Sequence, residues 1–129
     1  MILLVLLLAA ASADLDALDQ AVTQCDRTSA NPAFAGEAAR RSQFLVDVYK
    51  EQEAIVNARV AIASERQALR EAGGATAAQD KDLDAQSASL DDRQKALQDQ
   101  KTLESAREDA MDAMRRYFLM HCPAGGDRK

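Results

Sequence analysis

Apolar residues return at a seven-residue step along two stretches of the chain: Val48, Ile55, Ile62 and Leu69 in the first, and Leu83, Leu90 and Leu97 in the second. Such a step keeps the apolar side chains on one side of an α-helix, as in helices that pack along a seam. Between the stretches lie Gly73 and Gly74. Two adjacent glycines would cost about 2 kcal/mol inside a helix and suit a left-handed C-cap, so the pattern predicts a reversal there. Thr76 followed by Gln79 is the capping-box pattern for the helix that comes next. Upstream, Leu15, Leu18, Val22 and Cys25 recur at helical spacing, and Thr28 to Gly36 breaks the pattern, with Asn31-Pro32 offering an N-cap and first helical residue. The expected elements are helices over about 15–26, 32–72 and 76–121, the last ended by Pro123 and Gly125-Gly126.

The same pattern admits one uninterrupted helix in a parallel dimer, with the glycine pair as a tolerated flaw. Three features favour a hairpin. Cys25 and Cys122 are equidistant in sequence from the glycine pair, so a reversal brings them together at the open end. Pairing residues whose numbers add to 145 sets Ile62 against Leu83, Ile55 against Leu90, Val48 against Leu97, Arg41 against Glu104 and Phe34 against Met111. Arg59, Arg66 and Arg70 fall late in the first arm and Asp80, Asp82 and Asp84 early in the second, each set suiting its own helix dipole. The expected fold is therefore all-α: a long antiparallel helical hairpin, coiled-coil-like, with a short N-terminal helix packed at its base.

The first thirteen residues carry no charge and run from an apolar stretch, Met1 to Leu8, into Ala9-Ala10-Ala11-Ser12-Ala13. Small residues at positions 11 and 13 match the signal-peptidase pattern, so residues 1–13 are expected to be an export signal cleaved before Asp14, leaving 14–129 as a single domain. The basic n-region of such signals is missing, the first basic residue being Arg27. If uncleaved, the segment makes the protein a membrane-tethered structural coiled coil. Thirteen residues of helix reach roughly 20 Å, however, against a hydrocarbon core of about 30 Å, which favours cleavage over an anchor, and once the segment is removed no membrane contact is expected. The expected location is periplasmic or secreted. There, two cysteines form one disulfide, Cys25 to Cys122.

Composition narrows the picture further. Beyond residue 13 only 26 residues are larger apolar types, with 23 alanines beside them, so the core is thin. All five aromatics, Phe34, Phe44, Tyr49, Tyr117 and Phe118, lie away from the turn. With Leu15, Leu18, Val22, Leu45, Leu103, Met111, Met114, Leu119 and Met120 they are expected to build a core at the open end. Tyr117-Phe118-Leu119-Met120 points apolar groups to every side of its helix, so the first helix should act as its lid, and any uncovered remainder as a contact between copies.

Catalytic chemistry finds no foothold. His121 is the sole histidine, and there is no G-x-S-x-G, H-E-x-x-H or glycine-rich phosphate loop. Glu37 with Arg41, Asp91 with Lys95 and Asp112 with Arg116 have the spacing of helix-surface ion pairs. A net charge of −5 argues against nucleic acid. Met111, Met114, Met120 and His121, beside Cys122, collect soft donors of the kind that hold Cu(I), although methionines at this spacing are also ordinary core filler.

The reading is thus a non-catalytic, exported binding or assembly module, chaperone-like or adaptor, without a cofactor and with a protein partner or self-association. Phe44, Val46, Tyr49 and Val56 are the surface that the hairpin seam leaves over. The alternative is a copper-binding protein using the Met/His/Cys end. By architecture alone the expected hairpin resembles periplasmic coiled-coil chaperones of the OmpH-like kind, whose helical arms enclose client chains. No motif carries that resemblance, so no residue role follows from it.

Overall fold

The computed structural model describes residues 14–124. These form three helices and no strand: α1 over 14–23, α2 Arg27–Glu71 and α3 Ala77–His121. Helices α2 and α3 are the arms of an antiparallel hairpin, and α1 packs on both. The expected export signal, residues 1–13, lies outside the described residues.

The turns follow from local chemistry. At the end of α2, Gly73 and Gly74 take φ of 107° and 108°. Gly74 N–H donates to the Leu69 carbonyl at 2.8 Å and Gly73 N–H to that of Arg70 at 3.2 Å, the paired bonds of a Schellman cap. Thr76 and Gln79 then complete the predicted capping box: Thr76 N–H donates to Gln79 Oε1 at 2.9 Å, and Gln79 N–H to Thr76 Oγ1 at 3.2 Å.

The first connection differs from expectation. Helix α2 begins at Arg27, five residues before the expected start at Pro32, and α1 ends at residue 23. Asp26 is the reason. Its backbone N–H closes a second Schellman cap onto the Ala21 carbonyl at 2.8 Å, with Cys25 in the left-handed region at φ 54°. Its carboxylate then caps α2, accepting from Ser29 N–H at 3.3 Å and from the Ser29 hydroxyl at 2.8 Å. One residue closes α1 and opens α2, so Pro32 and Gly36 become passengers inside a helix already nucleated. Pro32 leaves the Thr28 carbonyl without its helical donor, but Thr28 is exposed and water can serve it.

The described residues form two compact units, one of residues 14–41 and 105–124, the other Ser42–Glu104. In the terminal unit the core is Leu18, Ala21 and Val22 of α1, Ala30 and Phe34 of α2, and Met111, Phe118 and Cys122 from α3 and its end. Phe34 and Phe118 meet tilted, with ring centroids 5.9 Å apart, and Arg115 and Arg27 lie over their respective faces at 5.5 and 5.2 Å. The disulfide Cys25–Cys122 fastens α1 to the end of α3, with the Cα atoms 5.4 Å apart. Arg27 reinforces it, donating to the Cys122 carbonyl at 2.9 Å and also to that of Pro123.

In the central unit the seven-residue step is the packing seam. Ile55, Ile62, Leu83, Leu90 and Leu97 are buried, Val48 is half-buried, and the same step along α3 continues to the buried Glu104. Charged side chains pair across the hairpin as well as along a helix, as Lys95 does with Asp99 at 3.0 Å. Arg93 meets Glu51, Arg59 meets Asp91 and Arg66 meets Asp84, each at 2.8 Å. In the terminal unit Arg41 pairs with Glu108 at 2.7 Å, so its ion pair falls one turn beyond the expected Glu104. Asp91 and Glu37, expected to pair with Lys95 and Arg41 along their own helices, serve Arg59 and the pair Arg40 and Arg107.

The core is narrower than the expected one. Leu45, Tyr49, Leu103, Tyr117, Leu119 and Met120 are exposed. Two helices side by side bury one face each, and α1 covers only the Phe118 side of α3, leaving Met120 at 80% of its full exposure.

Candidate protein-docking surface

Along α2, Ile55 and Ile62 face the hairpin seam, and one residue of helix turns the chain by about 100°. The residues just after the seam positions therefore form a second row. It reads Val46, Tyr49, Glu53, Val56, Val60 and Ala63, spaced alternately by three and four, all exposed and all within the central unit. Tyr49 is 68% exposed and Val60 60%. Leu45, also exposed, borders the row at its start. Three-four spacing is the pattern by which a helix offers a seam to another helix. Helix α2 thus carries two seams, and the described chain fills one of them.

Of the residues singled out from the sequence, Val46, Tyr49 and Val56 lie together on this row. Phe44 does not; it sits one turn before Val48 on the hairpin side and is half-buried. Sequence reasoning passed over Val60 and assigned Leu45 to the core, whereas both are exposed. The signal was present, since the row repeats the hairpin spacing one residue out of step.

The soft donors are dispersed. Met111 is enclosed in the core and Met114 packs against it, whereas Met120 is exposed. His121 stacks on Tyr117 with centroids 4.1 Å apart, and its Nδ1 lies 3.0 Å from the Tyr117 carbonyl. The Cys122 sulfur is spent in the disulfide. The structure does not gather these groups into one coordination sphere, and no cluster of three or more His, Cys, Asp or Glu able to hold a metal occurs among the described residues.

The strongest electrostatic arrangement belongs to the terminal unit. Glu37 accepts from Arg40 at 2.7 Å and from Arg107 at 3.3 Å, and Arg107 also reaches Asp14 at 2.9 Å. Burial pushes the Glu37 carboxyl up, but the hydrogen bonds and charges of the two guanidinium groups outweigh it and hold the group below the usual carboxylate range. Burial likewise pulls Arg107 down, and the carboxylates of Glu37 and Asp14 more than restore it. This network is structural in character, since every charge in it already has its counter-charge. A depression of about 310 Å³ in the central unit is lined by Arg59, Ile62, Ala63, Arg66, Arg70 and Ser87. Two of its arginines are already held by Asp91 and Asp84.

The chain matches no protein-family model, no curated protein and no solved structure. Among the described residues no helix is long and apolar enough to cross a membrane.

Proposed function

We propose that the protein is an exported, non-catalytic binding module that holds a partner helix against the second seam of α2. The observation that carries this reading is the exposed three-four row of Val46, Tyr49, Val56 and Val60 on a helix whose other seam is already filled. All of the row lies on α2 within the central unit, where the hairpin seam already holds the adjacent face of the helix. Export is supported by the apolar segment ending in Ala11-Ser12-Ala13 and is compatible with the disulfide.

The test compares the native chain with the triple variant Val46→Ser, Tyr49→Ser, Val56→Ser. Helical circular dichroism and the melting temperature should be unchanged, because none of the three side chains is part of the buried core, while covalent trapping of the partner in producing cells should be lost. Partner trapping that survives the triple change would refute the reading.

A further inference from the structure

The second seam of α2 is apolar except at its middle. Glu53 occupies the central position, with Val46 and Tyr49 before it and Val56 and Val60 after it, and it forms no ion pair or hydrogen bond among the described residues. A helix laid along the row would cover that carboxylate together with its apolar neighbours. A charge taken out of water without a counter-charge is strongly unfavourable, and a polar residue within an apolar seam sets which partner fits, and in what register. Charge complementarity therefore selects the occupant.

We infer that the docking face of α2 takes a helix from a different chain, with apolar residues at three-four spacing and one Lys or Arg seated opposite Glu53. This inference rests on the docking role proposed above. A second copy of the same chain fits less well. Aligned parallel, the two rows place Glu53 against Glu53. Aligned antiparallel so that Tyr49 faces Val60, they place each Glu53 against Val56 of the other chain, again without a cation. The other residues of the row, Val46, Tyr49, Val56, Val60 and Ala63, carry no charge that could compensate. A partner with one cation at the centre satisfies the carboxylate and fixes the register in one step, while a partner with an acid there is rejected.

The experiment uses the full chain and two designed helical peptides of about three heptads each, identical except for Lys or Glu at the central seam position, with binding read by fluorescence anisotropy. The native chain should bind the Lys peptide roughly tenfold more tightly than the Glu peptide, and the Glu53→Lys variant should reverse that order. Equal binding of both peptides would overturn the inference and leave the docking reading standing. Binding of neither would overturn both. Dimerisation of the chain alone, lost in the Tyr49→Ser, Val56→Ser variant, would assign the face to a second copy and overturn the inference. Glu53 is exposed in the free chain, so its replacement leaves folding intact, which unchanged circular dichroism would verify.

Discussion

Ile55 and Val56 are consecutive, yet Ile55 is 1% exposed and Val56 is 48% exposed on the adjacent face of the same helix. That single step marks the division of α2 into a face buried in the hairpin seam and a face that the described chain leaves open. The two residues should respond differently to truncation. Ile55→Ala should cost about 2–5 kcal/mol, the range for a buried aliphatic side chain, whereas Val56→Ala should lie within about 0.5 kcal/mol of the native chain. Urea unfolding followed by circular dichroism separates them. Equal losses would mean that Val56 is also part of the folded core.

The disulfide closes a separation of 97 residues and is the covalent link between α1 and the end of α3. Replacing Cys25 and Cys122 together by Ser should remove about 2–5 kcal/mol from global stability. The midpoint of urea unfolding should fall accordingly, and reduction of the native chain should reproduce the loss. A midpoint unmoved by either treatment would show that the noncovalent core of α1 suffices.

Two glycines should respond with opposite sign. Gly36 lies inside α2 with nothing within 4 Å of the position its Cβ would take, so Gly36→Ala should stabilise by about 0.5–1 kcal/mol through helix propensity. Gly73 has equally open surroundings but a φ of 107°, and Gly73→Ala should destabilise by about 1 kcal/mol or more. Thermal melts of both variants check the pair. A stabilising change at 73 would contradict the cap.

These glycines also show what could be read in the sequence and what could not. The pair Gly73-Gly74, the Thr76 to Gln79 box, the seven-step seam and the symmetric cysteines are local or periodic signals, and each gives the element it implies. The start of α2 is obscured because Asp26 does two jobs, and Pro32 and Gly36 look like breakers to anyone who does not see that the helix is nucleated before them. The exposure of Leu45, Leu103, Leu119 and Met120 is hidden for another reason. Apolar character says that a residue would gain from burial, not that a neighbour is available, and two helices plus a three-turn lid have too few faces. Val60 was visible as part of a three-four row offset by one residue from the seam, a row that becomes meaningful only once the seam itself is known to be filled.

The Glu37 carboxyl is held below its ordinary value of 4.5 by Arg40 and Arg107 once their effect overcomes burial. A group with a depressed folded value contributes stability above its unfolded value and loses it as the pH falls through the folded one. Stability should therefore decline as the pH drops from about 4.5 downwards, and Glu37→Gln should remove Glu37's part of that decline. The same variant should cost about 1–3 kcal/mol at neutral pH, because it leaves Arg107 partly buried with a weakened partner. Urea titrations of both proteins between neutral and acid pH provide the comparison. Parallel pH profiles would show that Glu37 is not linked to folding.

The central claim, that α2 docks a partner along its second seam, is tested most directly by scanning photo-cross-linking in producing cells. A photoreactive residue is placed in turn at Val46, Tyr49, Val56 and Val60 on the row, and at Asp47, Ala54 and Ala61 off it. The account predicts one partner, trapped from the positions on the row and not from the others, so that cross-linking rises and falls with the three-four spacing. Adducts formed equally from both sets, or from the second set alone, would contradict it.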